Sequence, residues 1–458
     1  MHAEFKETGF EEICAKAAAE ARNAGHPVLA LWREEIERVE PLLPSAPSRS
    51  TFFWSSGDLT ILAMDRAIAF PAEGRNRFAE VRQAWERTAR TMVGGGPGSR
   101  ATPALVGAFS FDEGPGSLMW VPRVLVAQRA HGPATLCLAA RADPVHGVED
   151  DAARTAWRAV SWLAGPVVRP CPPLPVTGAA IEEVPTAEEW KAMVARAVGQ
   201  IEAGRFSKVV LARRLRVGLP YPPDLGGLLH TLVGAQPGTT VFAAGTGTRT
   251  FAGATPERLV AVRGGRAETM SLAATLPRGS TGGDDARLRA ELLGDAKCRR
   301  EQAIVTDMLR GALAEVCHEV EAPDEPEVLD LPHVRHLHSR VRGRIADPET
   351  TGVLDLVERL HPTPAVGGHP REQALGWLRA AERFDRGWYA GPIGWVNADH
   401  EGDFAVALRS ALLDGAVATL FAGCGIVAGS DPERELAETW LKFRPMLSAL
   451  LNDQGGPR

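Results

Sequence analysis

Residues 206–217 read FSKVVLARRLRV, and their alternation decides the fold class. Val209, Leu211, Leu215 and Val217 fall on one face of an extended chain, because side chains on a strand alternate with a period of two. Lys208 falls on the opposite face with Val210 and Ala212, a lysine in apolar company at the start of a strand. Just upstream the period becomes helical. Thr186 and Glu189 stand at capping-box spacing, Trp190, Val194, Val198 and Ile201 make a buried stripe, and Gly204 ends the helix. A helix that feeds an alternating strand marks a mixed α/β chain.

The same alternation of elements extends in both directions. Downstream, a long helix is expected from Ala296 to Cys317, with Glu301, Val305, Met308 and Ala312 on its core-facing stripe. A carboxylate there is costly unless a cation or donor meets it. Upstream, TFFWSSGDLTILAM and ALVGAFSFDEG read as strand segments broken by turn residues, and VLVAQR and ATLCLAAR as two more strands. Phe78, Val81, Trp85 and Met92 put one apolar face on a helix between Arg75 and Met92, and VGGGPGS at 93–99 reads as a surface loop. Five prolines between Gly165 and Pro175 can continue neither a helix nor a central strand, so a linker is placed there. The chain thus divides into an N-terminal part, 1–175, and a chemistry-bearing part, 180–455.

At 458 residues, 45% hydrophobic and 24% charged, the chain has the composition of an ordinary soluble protein. A net charge of −6 argues against a nucleic-acid partner, and any anionic substrate must be met by locally placed cations. No apolar run reaches membrane-spanning length, and MHAEFKETGFEEICAK is too charged for a signal peptide, so a cytoplasmic location is expected. Cys14, Cys137, Cys171, Cys298, Cys317 and Cys424 show no CxxC spacing and read as reduced thiols.

Several residues could carry chemistry, and each has a plainer reading. Glu435, Glu438 and Lys442 fall on one side of a C-terminal helix, either as a solvated face with an intrahelical pair or as an edge that holds a hard cation. Lys208 is either structural or a general base, since burial disfavours an ammonium ion and a neutral amine can deprotonate water. Glu257, in ATPERL, is either a turn residue or a carboxyl whose pKa an apolar pocket raises, which could then donate a proton. Gly423 and Gly425 in AGCGIVAGS fit a tight strand turn, or a backbone that lets a carboxylate come close. Arg409 in AVALRSAL looks like an inward-facing strand arginine, for substrate carboxylate capture or for a buried ion pair. Among His333, His336 and His338, zinc is a poor explanation, and one ring donating to a substrate oxygen is the better one. His361, in HPTPAVGG, is taken as structural.

Together, SKVVLARR, ATPERL, HPTPAVGG, FDRGWYAGPIGW, AVALRSALL, LFAGCGIV and ELAETWLKF resemble the chorismate-utilising enzymes, and among them the isochorismate synthases. The resemblance covers nearly all of 186–450 and is looser before residue 175, where WSSGD and GAFSFDEG carry it. It implies an anthranilate synthase component I-like α/β fold of large, mostly antiparallel sheets packed together and flanked by helices. It further implies Lys208 as the base that activates water and Glu257 as the general acid. Glu301 and Glu438 would be carboxylate ligands of Mg²⁺, with Glu435 acting through water. Ala274, Thr275, His336, Tyr389, Arg409, Gly423, Gly425 and Lys442 would hold chorismate or isochorismate.

Sister activities differ at a few positions. Anthranilate synthases usually carry glutamine where Lys208 stands, and aminodeoxychorismate synthases carry a nucleophilic lysine at the position of Ala273. No glutamine amidotransferase subunit is therefore expected, and the protein is expected to be a monomer. Salicylate synthases share Lys208 and the glutamates but tend to have arginine at Phe421, which makes them the rival reading; a non-catalytic chorismate-binding subunit is the other. Two departures stand out: Ala274 replaces a common glycine, and KCRREQ places Cys298 and Gln302 beside Glu301.

Overall fold

The computed structural model describes residues 7–44, 50–95, 102–148, 179–279, 281–332 and 334–451. The alternating run forms the strand Lys208–Gly218, buried on both faces for most of its length. It is buried twice over because it lies within a fourteen-stranded sheet. One edge pairs antiparallel with Val417–Ile426 along ten residues. The other edge meets Gly368–His369 at Lys208 and Val209, then Ala180–Val184 from Arg214 onward. Between these two short partners, among the described residues, no strand stands beside 210–213 on that edge.

From Val417–Ile426 the sheet runs through Ser410–Asp414, Arg249–Thr255, Thr240–Thr246, Ser50–Ser56, Leu59–Met64, Val124–Arg129, Ala134–Asp143 and Val28–Ile36. A ten-stranded sheet lies against it and includes Val334–Ile345, Arg266–Pro277, Arg258–Arg263, Gly402–Val406, Pro392–Asn397 and Pro103–Ala108 in that order. Both sheets take strands from both parts of the chain: Ser50–Ser56 pairs with Thr240–Thr246, and Pro103–Ala108 with Pro392–Asn397. Phe52, Trp54, Val209 and Leu211 from the first sheet share one apolar core with Leu105, Trp120, Val260 and Phe404 from the second. The Phe52 and Trp120 rings meet edge to face at 6.1 Å across that core.

The helices cover the outer faces. Ala187–Glu202 opens on the expected capping box, with the Thr186 N–H donating to Glu189 Oε2 at 2.9 Å and Trp190 and Val194 fully buried. Arg77–Arg90 buries Phe78, Val81 and Trp85, and the Trp85 indole donates to Asn397 O. Ala296–Ala314 packs on Arg266–Pro277, and Pro432–Leu451 on Val417–Ile426. No helix among the described residues is long and apolar enough to cross a membrane.

Turn residues break the early strand stretches as expected, and two other local expectations change. TFFWSSGDLTILAM is two strands, because Gly57 at φ +58 turns the chain into a hairpin. In ALVGAFSFDEG only Pro103–Ala108 is strand. The 296 helix stops at Ala314, and Cys317 instead begins a strand paired with Ile345. Val93 and Gly94 pair in parallel with Ala30 and Leu31 rather than opening a loop; a Cβ at Gly94 would lie 2.4 Å from Leu31 O, so the close pairing requires glycine. The proline-rich 165–175 segment, Gly96–Ser99, Cys171 and His333 lie outside the described residues. The five described cysteines are free thiols.

Candidate active site

Both sheets contribute to one cavity. Lys208 and Val210 form one wall, Glu301 enters from the Ala296–Ala314 helix, and Glu438 and Lys442 enter from Pro432–Leu451. Glu257, Thr275, His336, Tyr389, Arg409, Gly423 and Gly425 complete the charged and polar lining. The empty space between these side chains, open mouth included, is about 680 Å³.

Lys208 opens its strand, and its side chain is 1% exposed. Its Nζ lies 2.9 Å from Glu301 Oε1. On the far helix Lys442 Nζ donates to Glu438 Oε1 at 2.5 Å and to Gly423 O at 2.7 Å. The cavity's two metal-type carboxylates are therefore each met by a lysine. The glycines of FAGCGIV permit this crowding. A Cβ on Gly425 would sit 2.5 Å from Glu301 Oε1 and 3.0 Å from Lys208 Cε, and one on Gly423 would sit 2.4 Å from Leu211 O.

Glu257 follows the strand Arg249–Thr255 and is held by its backbone: its N–H donates to Thr255 Oγ1, and its carbonyl accepts from the Val406 N–H. The carboxyl is 4% exposed. Burial pushes its pKa up to about 8, against the pull of Lys208, Lys442 and Arg409, so it is mostly protonated at neutral pH.

Arg409 is not on a strand. It occupies a bend between Gly402–Val406 and Ser410–Asp414 at φ +50, a left-handed backbone uncommon for a non-glycine residue. Burial lowers its pKa to about 10, which leaves it cationic. Among the described residues no carboxylate lies within ion-pair distance of it. Its Nη2 instead lies 3.3 Å from His336 Nε2.

His336 is fixed from the other side as well. Strand Arg266–Pro277 bulges between Ala273 and Thr275 where it pairs with Val334–Ile345. Ala274 at φ +54 there presents its carbonyl to His336 Nδ1 at 3.0 Å. A carbonyl only accepts and a guanidinium only donates, so Nδ1 carries the proton and Nε2 is the acceptor. Burial, with Arg409 and Lys442 next, pushes the His336 pKa well below its usual value. The ring is thus neutral and holds Arg409, rather than offering a free donor as its sequence context suggested. His338 is not on this cavity's lining, and neither is His361, whose Nε2 binds Phe111 O at 2.9 Å. Tyr389 stacks on Phe421 with ring centres 5.1 Å apart and planes 14° apart.

Glu435 is placed apart from this group. It is 5% exposed, one turn before Glu438, and is not on the cavity lining. Among the described residues no group of three His, Cys, Asp or Glu side chains is gathered at metal-holding distance. Gln302 turns away too, donating to Ser339 Oγ at 3.1 Å behind the strand that carries Ala274. Arg386 was overlooked in the sequence: it lines the cavity and pairs with Glu382. Its signal was a Glu–Arg pair at i, i+4, which usually denotes an exposed helix face.

Residues 15–451 match the family model described as chorismate binding enzyme. The chain is 35% identical to isochorismate synthase MenF of Bacillus subtilis, over 98% of each chain. It is 37% identical to the salicylate biosynthesis isochorismate synthase of Pseudomonas aeruginosa, over 95% of this chain and 93% of that one. MenF, the menaquinone-specific isochorismate synthase of Escherichia coli, has the same fold, with a TM-score of 0.78 at 24% identity over 95% of this chain and 99% of that one. With relatives matched along nearly their whole length, the chain belongs to the chorismate-binding enzyme family, among the isochorismate synthases.

Proposed function

We infer that the protein is an isochorismate synthase, which interconverts chorismate and isochorismate. The observation that carries the reading is an amine, Lys208, and a protonated carboxyl, Glu257, on the walls of one buried cavity that also presents the unpaired cation of Arg409. The substrate is a dianion, and Arg409, positioned by neutral His336, gives one carboxylate a bidentate partner. Lys208 takes a proton from water as the water oxygen bonds to ring C2. The ring double bonds shift, the C4–O bond breaks, and Glu257 protonates the departing hydroxyl so that it leaves as water. One water enters and one leaves, and the reverse reaction uses the same groups with their protonation exchanged.

The donor set fits Mg²⁺. Glu301 and Glu438 face the same cavity, Gly425 lets the Glu301 carboxylate lie against the backbone there, and Mg²⁺ takes one or two carboxylates with substrate and water oxygens completing its shell. Bound there it would supply positive charge near the substrate's ring carboxylate. Glu435, behind Glu438, would act on it only through water. Mg²⁺ at a hundred times its Kd adds about 2.7 kcal/mol of stability, read as a rise in Tm, and Glu438→Gln removes that rise. An equal rise in the variant would place the ion elsewhere.

Purified protein given chorismate and Mg²⁺, with no added lyase, is expected to form isochorismate without stoichiometric pyruvate. Rapid stoichiometric pyruvate would make it a salicylate synthase, and binding without turnover a non-catalytic subunit. Phe421 favours the first outcome, since it stands where salicylate synthases tend to have arginine and here its ring stacks on Tyr389. Among the relatives one is named menaquinone-specific and one vibriobactin-specific, and the product would serve either route.

A further inference from the structure

The edge of strand Lys208–Gly218 has a gap, and an ion pair fills it. At 210–213, between the two short neighbouring strands, backbone groups that a further strand would satisfy face outward. The Val210 N–H is taken by Gly367 O at 2.9 Å. The next two groups on that edge, the Val210 carbonyl and the Ala212 N–H, are satisfied by side chains. Arg386 Nη2 donates to Val210 O at 2.6 Å, and the Ala212 N–H donates to Glu382 Oε1 at 2.7 Å. Arg386 and Glu382 are joined by two further bonds, Nη2 to Oε1 at 2.5 Å and Nε to Oε2 at 2.8 Å. Their side chains are 2% and 4% exposed.

An N–H donor beside a carbonyl-like acceptor is what one residue of an antiparallel partner offers an edge. We propose that the Glu382–Arg386 pair is a side-chain substitute for a missing strand residue, and that it acts as a positioning device for Lys208. Val210 and Ala212 project on the same face as Lys208, so fixing their backbone fixes the line along which Nζ reaches into the cavity. The remaining donor of Arg386, Nη1, binds Val366 O at 2.9 Å, and Ala365 and Val366 line the cavity. The guanidinium also lies 4.3 Å over the Phe111 ring, which holds its plane. One arginine therefore ties the strand of the base to the loop that runs beside it. A displacement near 1 Å at a reacting group can lower a rate about 10²-fold.

This proposal rests on the isochorismate synthase reading, and its test separates the two. Arg386→Met is expected to lower kcat about 10²-fold with KM within about threefold, while Arg386→Lys, which keeps the charge but not the fork, recovers only part of the loss. Because a lone buried Glu382 can destabilise the fold, the decisive variant is E382Q/R386M, which removes both charges. A purely structural pair predicts that this double variant regains both Tm and kcat. Positioning predicts that Tm recovers and kcat stays low. A folded double variant with kcat within about threefold of the parent would overturn the proposal. In the unaltered protein the Ala212 amide should exchange as slowly as strand amides bonded to Val417–Ile426. Exchange at open-edge rates would overturn it without any activity measurement. An inactive parent would count against the enzyme reading instead.

Discussion

Lys208→Ala lowers kcat for isochorismate formation about 10³-fold while substrate affinity stays within about threefold. The side chain is 1% exposed and its amine faces the cavity, so truncation removes the one amine on that wall that can reach water from the strand side. The substrate's carboxylates are met elsewhere, by Arg409 and by the ion that Glu301 and Glu438 can hold, so binding persists. Glu301 loses its partner, but its side chain keeps 13% exposure, and solvent moderates the destabilisation. Steady-state kinetics with calorimetric binding of substrate separates these effects. A folded variant with unchanged kcat would remove Lys208 from the base role.

Glu257→Gln is expected to act on the other proton, with a kcat loss of similar size. The amide preserves shape and can still donate a hydrogen bond, but it cannot deliver a proton to the departing hydroxyl. The pH dependence sharpens the test. The competent form of Glu257 is the protonated one, and burial places its pKa near 8, so parent kcat/KM falls as pH rises through about 8. The residual activity of the variant lacks that alkaline limb. Stability follows the same sign: a carboxyl raised from 4.5 to about 8 contributes most below pH 4.5 and progressively less up to pH 8. Denaturant midpoints of the parent should decline over that window more than those of Glu257→Gln. Identical pH profiles for the two proteins would exclude Glu257 as the donor.

The elements that could be read from sequence are those in which local chemistry and tertiary packing agree. The capping box at Thr186, the Trp190 stripe and the alternation around Lys208 all depend on spacing, and all form as written. Elements decided by a distant partner were not legible. Cys317 leaves its helix for Ile345, and Val93 pairs with Ala30, because a long-range ladder outweighs local preference. The site divides the same way. Lys208, Glu257, Glu301, Glu438 and Arg409 sit in distinctive local wording and reach one cavity. Glu435 shares their wording but not the lining, since one helical turn suffices to change what a side chain faces. The neutral state of His336 depends on a bulge at Ala274 and an arginine 73 residues away, which no local window contains. Arg386 escaped for the same reason: its work is done on the backbone of Val210, 176 residues earlier in the chain.

The interleaving of the two sheets sets a limit on how this enzyme can be cut or recombined. The wall that bears the chemistry lies almost wholly after residue 180, yet Thr240–Thr246 and Pro392–Asn397 each lean on a strand from before residue 110. A fragment holding every reactive group would carry two raw, apolar edges eager for a stranger's backbone. The early strands contribute no reactive group, but without them the catalytic segment would be prone to aggregate, so lineages and engineers alike must transfer the chain whole.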